Sequence, residues 1–165
     1  MRTRPDLVEH LPRLRRYARA LTGDSNRADD LVQDTLERAL AKLDLWQPDS
    51  DLRAWLFTLM HNLFVNQIRV RRPQETAMDE AVDEAVSGGQ MEALAARDIH
   101  AALARLPEQQ REVLLLVGLE QFGYAEAALV LGIPTGTVMS RLSRARERMR
   151  QMLASDPSIL LKLVK

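Results

Sequence analysis

The stretch Tyr124–Arg150, YAEAALVLGIPTGTVMSRLSRARERMR, constrains the fold more than any other part of the chain. Tyr124, Ala127, Ala128 and Leu131 recur at helical spacing and predict a helix over 124–131. Gly132 is a stop signal, and Pro134 two residues later forbids continuation. A second helix from about Thr135 is expected to bury Val138, Leu142, Ala145 and Met149. Its other side carries Ser140, Arg141, Ser143, Arg144 and Arg148. The small Ala128 admits a close crossing, Gly132 makes the turn, and Val138 packs back between the helices. This is the pattern of a helix-turn-helix, whose second helix lies in the DNA major groove. An Ala-Gly-Val spacing alone is weak, but five arginines fall between Arg141 and Arg150, against only Glu147 of opposite sign. A solvated basic helix closing a bundle is the plainer alternative. Planar guanidinium groups at this density suit phosphates and guanine edges instead.

The chain has 165 residues, enough for one ordinary domain or two small ones. Its formal charge of zero hides a polarised arrangement. Lys+Arg against Asp+Glu run 13 to 10 over residues 1–72, 2 to 7 over 73–106, and 8 to 6 over 107–165. Cysteine is absent, which excludes disulfides and cysteine-ligated metal sites. No apolar run approaches the ~18 residues of a membrane span, and no signal-peptide core opens the chain, so a cytoplasmic protein is expected. No alternating apolar pattern persists, and the fold class is read as all-α.

In chain order, Asp6 to Leu21 predicts a helix burying Leu7, Leu11, Leu14, Ala18 and Leu21. Thr22-Gly23-Asp24 breaks it. A second helix, about Asn26 to Leu43, is expected to bury Ala28, Leu31, Val32, Thr35, Leu36, Ala39 and Leu43. Asp29, Asp30, Gln33, Asp34, Glu37 and Arg38 point outward, carboxylates near a helix start also suiting its dipole. Pro48 and three aspartates make 44–51 a loop, in which Trp46 reads as an anchor rather than a stacking surface. The third helix, Leu52 to about Arg72, directs Leu52, Leu56, Leu59 and Leu63 to the core with Trp55 beside them. Its second side shows Thr58, Asn62, Val65, Arg69 and Arg72. Residues 73–90 read as an acidic flexible linker, containing DEAVDEAV and Ser87-Gly88-Gly89. Helices over Met91–Leu106 and Glu108–Gly118 follow, and with the helix-turn-helix make a second small domain over 91–165. Its tail, SILLKLVK, is apolar and is left without a role.

Taken together, these motifs resemble the bacterial extracytoplasmic-function sigma factors, promoter-specificity subunits of RNA polymerase. The likeness covers about residues 6–153. DDLVQDTLERAL at Asp29–Leu40 is similar to the family's core-polymerase-binding helix, and RAWLFTLMHNLFVNQIRVRR at Arg53–Arg72 to its −10-reading helix. LPEQQREVLLL at Leu106–Leu116 and GIPTGTVMSRLSRARER at Gly132–Arg148 are similar to its −35-reading domain. The resemblance implies that 1–72 binds core polymerase and reads the −10 element, and that 91–165 reads the −35 element. It implies docking of Asp30, Gln33 and Asp34 on the clamp helices of the polymerase largest subunit. It places Trp46 and Asn62 at a pocket for a base flipped from the −10 element, with Gln47–Asp51, including Asp49, as specificity loop and Arg69 and Arg72 nearby on DNA. Stacking of an unpaired base is worth about 1–3 kcal/mol, which makes such a pocket physically reasonable. Ser140, Ser143 and Arg144 match positions facing −35 bases, with Arg141 and Arg148 on or near phosphates. The acidic linker matches the segment threading the polymerase RNA path. An anti-sigma partner is implied by analogy, and so is a role in stress response.

Three positions depart from the family pattern. Gly123 stands where a Ser or Thr cap is frequent, Leu129 where a polar residue is usual, and Met139 where a basic one is common. Competing readings are a sigma-mimic adaptor that titrates an anti-sigma factor, and a stand-alone helix-turn-helix regulator. A mimic has no need of Ser140, Arg141, Arg144, Trp46 and Asn62 together, and no dimer helix supports the regulator. His10, His61 and His100 are scattered without an acid–base constellation. No enzyme, cofactor or metal site is therefore expected.

Overall fold

The computed structural model describes residues 4–71 and 90–154, with side chains of 90–95 excepted. Among the described residues there are seven α-helices and no strand: α1 Leu11–Thr22, α2 Ser25–Ala41, α3 Leu52–Arg71, α4 Gln90–Arg105, α5 Glu108–Leu114, α6 Tyr124–Leu131 and α7 Thr135–Leu153. The all-α expectation holds. Arg72, most of the acidic linker and the apolar tail lie outside the described residues.

Local chemistry sets the boundaries. Leu11 starts α1 one turn later than the periodicity predicts, because Val8–His10 forms a 3₁₀ turn, with Pro12 in the first helical turn where its missing N–H costs nothing. Gly23 ends α1 at φ 68°, a left-handed position that glycine adopts without steric cost. Asp24 then caps α2, its Oδ1 accepting from the N–H groups of Asn26 at 2.8 Å and Arg27 at 3.1 Å. The helix stops at Ala41 rather than Leu43, and 43–45 is a second 3₁₀ turn. Asp51 Oδ1 caps α3 by accepting from the N–H groups of Arg53 and Ala54.

After α5 the chain widens into a π-helical turn, Leu115–Leu119, where a continuous helix to Gly118 was expected. Glu120 N–H donates to Leu115 O and Phe122 N–H to Leu116 O, both at 3.0 Å. Gln121 between them takes φ 59°, a left-handed conformation sparsely used by residues with a Cβ. The consequence is topological: Glu120 and Phe122, two apart in sequence, both turn inward, and each is almost fully buried.

What they turn towards is the first half of the chain. One apolar core runs through both halves, from Leu14, Tyr17 and Leu21 through Phe57 and Met60 to Val113, Leu116 and Phe122. Tyr17 meets the ring of Phe57 edge-on at 5.1 Å, and Phe57 meets Phe122 edge-on at 5.2 Å. The halves that linker composition separates are thus packed on each other. This explains the core face of α3, which periodicity misplaces. On α3, Leu56 and Leu59 are buried as expected, but Leu52 and Leu63 are only partly so, and Phe57, Met60 and Phe64 join the core. A helix covered on two sides shows no single apolar stripe.

Tyr17 is completely buried, and its phenol is pushed well above the ordinary value of 10.0 by burial first and by the charges of Glu112 and Glu120 second. Its contribution to stability is complete below pH 10 and is lost as pH rises, because the unfolded chain ionises this phenol first. Thermal melts should therefore lose midpoint above about pH 10. Tyr17→Phe should flatten that alkaline limb; an unchanged limb would assign it to other groups.

Candidate nucleic-acid interface

The helix-turn-helix forms as the spacing dictates. Gly132 closes α6 at φ 66°, and its N–H and that of Ile133 both bond to Ala128 O. Pro134 precedes α7 in extended conformation, and its carbonyl accepts from Thr137 and Val138 N–H. Ala127, Ala128 and Leu131 of α6 and Val138, Leu142 and Ala145 of α7 are buried, while Met149 is half-buried and Tyr124 exposed. Gly123 has no side chain to cap α6, yet half of a capping box survives: Glu126 Oε2 accepts from Gly123 N–H at 3.3 Å. Leu129 and Met139 are both exposed, at 80% and 52%.

The outer side of α7 is open. Ser140, Ser143, Arg144, Arg146 and Arg148 are exposed, and Arg141 is half-buried at the edge of the same face. Ser140 Oγ donates back to Thr137 O at 3.1 Å, and Arg150 pairs with Glu147 at 3.0 Å. Arg144 and Arg148 carry guanidinium groups one turn apart on a rigid helix, a geometry suited to successive groups along DNA.

On the first half, Asp30, Gln33 and Asp34 are all exposed on α2. Gln33 Nε2 donates to Glu37 Oε1, and Asp34 Oδ2 accepts from Gln67 of α3, both at 3.4 Å. Beside them an open groove of about 370 Å³ runs between α1 and α2, lined by Leu11, Arg15, Arg19, Asp29, Val32, Gln33 and Leu36. In the loop before α3, Ser50 closes a turn by donating N–H and Oγ to Gln47 O. Trp46 is half-buried with its Nε1 buried and unpartnered, while Gln47, Asp49, Asn62 and Arg69 are exposed. Among the described residues no cluster of His, Asp or Glu could hold a metal, and no helix is long and apolar enough to cross a membrane.

A set of residues that the sequence left unassigned meets where the halves pack. Glu120, with a fully buried side chain, receives Arg16 of α1 in a two-pronged pair, Nε and Nη2 all at 3.1 Å from its oxygens. Arg53, at the start of α3, donates to Glu120 O at 3.2 Å, pairs with Glu126 at 3.6 Å, and lies 4.1 Å over the Phe122 ring. His61 Nδ1 sits 2.5 Å from Glu112 Oε1. Arg111 closes the same region, donating to the carbonyls of Leu21, Leu103, Ala104 and Leu106. Burial lowers its pKa first, with Arg27 acting in the same direction and Glu108 and Glu112 opposing.

Residues 7–61 match the family described as the Sigma2 domain of PhyR, and residues 96–149 match Sigma-70, region 4. Over 155 residues the chain is 43% identical to the ECF RNA polymerase sigma factor EcfG of Rhodopseudomonas palustris, spanning 93% of this chain and 86% of that protein. Among solved structures, the sigma factor RpoE of Bartonella quintana, in complex with the anti-sigma factor NepR, superposes with a TM-score of 0.80 at 39% identity, covering 92% of this chain and 96% of RpoE. The PhyRSL–NepR complex of Sphingomonas sp. Fr1 aligns with a TM-score of 0.65 at 30% identity, over 88% of this chain and 85% of that one.

Proposed function

The chain belongs to the extracytoplasmic-function branch of the sigma-70 family of RNA polymerase sigma factors, and from that premise we propose how its residues divide the work. A sigma factor directs promoter-specific initiation by binding core polymerase and reading the −10 and −35 elements, and is itself a non-catalytic subunit. Here Asp30, Gln33 and Asp34 dock on the clamp helices of the largest subunit. Trp46, Gln47, Asp49 and Asn62 receive the flipped −10 base, Arg69 and Arg72 lie along the adjoining backbone, and Ser140, Ser143 and Arg144 face −35 bases. Arg141 and Arg148 hold phosphates. The first domain is residues 1–72 and the second 91–165.

The observation that carries this reading is the open outer face of α7: two serines and two arginines exposed on one side, with Val138, Leu142 and Ala145 buried on the other. A sigma-mimic adaptor would not need that face. An anti-sigma factor related to NepR is the partner expected for the free chain, since NepR accompanies the similar RpoE.

Transcription by core polymerase plus this chain, over a library of promoters, tests the reading. Initiation dependent on both −10 and −35 sequence is expected; its absence would favour the mimic. Asp30→Arg should weaken core-polymerase binding roughly tenfold or more, a cost of at least ~1.4 kcal/mol, with helicity unchanged because the side chain is exposed. Full affinity in a pull-down would return this face to plain solvent.

A further inference from the structure

A cavity of about 90 Å³ opens where the ends of α1 and α3 and the start of α2 meet α5. It has room for several water molecules, each of which needs ~10–15 Å³ of such space. Three arginines from three different helices line it: Arg27 of α2, Arg71 of α3 and Arg111 of α5. Against them the lining carries one carboxylate, Glu108, so two positive charges are in excess. All four residues are half-buried. Phe64 and Ile68 form an apolar side, which holds the local dielectric below that of bulk water and strengthens attraction at the site. Burial disfavours the charge of Arg111, Glu108 offsets part of that cost, and Arg27 adds to it.

Arg69 and Val70 at the end of α3 are exposed, whereas Arg71 turns back against the protein. There it makes no hydrogen bond or ion pair among the described residues. Arg111 makes four bonds to carbonyls with its five N–H donors. The donor left over is on Nη1, the nitrogen that reaches the carbonyl of Leu21, itself on the cavity wall. Carbonyls satisfy N–H groups but do not neutralise a guanidinium charge. A tetrahedral oxyanion does both, since its oxygens accept from several planar forks at once. We propose that this cavity is a binding site for a phosphate group, free or at the end of a small nucleotide, held between Arg27, Arg71 and Arg111. Arg27 and Arg71 belong to the first half and Arg111 to the second, so the bound group bridges them and stabilises the folded chain by mass action. The site uses none of the residues assigned to polymerase or promoter.

Calorimetric titration of the whole chain with inorganic phosphate, at constant ionic strength set by sodium chloride, should give saturable binding. Thermal melts in phosphate should have a higher midpoint than melts in chloride of equal ionic strength. Arg71→Gln should weaken the affinity roughly tenfold or more, as expected for loss of a charge-assisted contact. Arg27→Gln should act in the same direction, and melts in chloride alone identify either variant if it is poorly folded. Arg105→Gln, which removes an exposed charge outside the cavity, should leave the affinity unchanged. Adenosine diphosphate separates the two sources. Tighter binding than phosphate, still dependent on Arg71, assigns a nucleotide; equal or weaker binding assigns the free ion. A phosphate response no larger than that of chloride, or undiminished in both cavity variants, would overturn the site. So would an equal loss in Arg105→Gln, the mark of diffuse screening. Neither polymerase nor promoter enters these measurements, so failure here is distinct from failure of the assigned function.

Discussion

Replacing Arg111 by Met should destabilise the chain by about 3 kcal/mol, the order expected when a half-buried charged donor leaves several carbonyls without partners. Arg111 closes the carbonyls of Leu103, Ala104 and Leu106 at the end of α4 and that of Leu21 at the end of α1, with distances of 2.7–3.0 Å. Helix ends leave such acceptors orphaned unless something caps them, and one planar fork here caps two helices at once. In a chain of this size the midpoint of thermal unfolding should fall by roughly 6–12 °C. Arg111→Lys should restore only a fraction, since a single ammonium cannot reach acceptors spread over two helices. A loss below ~1 kcal/mol for Arg111→Met, measured by denaturant titration, would mean that water replaces the fork.

Arg144→Ala should abolish preference at one base pair of the −35 element, a loss of about 1–3 kcal/mol or roughly 5- to 150-fold in discrimination. Arg144 is exposed on α7 opposite the buried Leu142 and Ala145, so neither folding nor core binding should change. Arg148→Ala should instead weaken all promoters about equally and reduce the salt slope by about one. The measurement is transcription from promoters mutated singly across the element. If Arg144→Ala keeps the full wild-type preference, α7 does not read bases from this position.

The helix-turn-helix was legible because its signals are local. A glycine stop, a proline start and apolar steps of three and four residues fix 124–131 to the residue and bury the expected Val138, Leu142 and Ala145. The outward placement of Asp30, Gln33, Asp34, Asn62 and Arg144 was legible for the same reason. The α3 core was not, because Phe57, Met60 and Phe64 are covered partly by residues far away in sequence. No signal in the local sequence marks Glu112 and Glu120 as the buried carboxylates they are. Nothing within a few positions of Glu120 announces Arg16, its partner 104 residues away. The π-helical turn that aims Glu120 and Phe122 leaves no periodic trace either, since five residues are too few to shift a pattern.

The docked arrangement also sets a limit of reach. A compact chain of this length has a radius of gyration of roughly 15 Å and is about 40 Å across. Elements named for positions about twenty-five base pairs apart stand some 85 Å from each other along straight B-form DNA, at ~3.4 Å per pair. While Phe122 stays between Phe57 and Arg53, one element at most lies within the molecule's grasp. Fully extended, the eighteen residues 72–89 could bridge at most ~60 Å, enough for two separated domains to cover the remainder with their own widths. Two-site binding gains its strength from tethering, through the effective concentration the first site confers on the second. The free energy of docking subtracts directly from that gain, so the contact between the halves works as a threshold on promoter avidity.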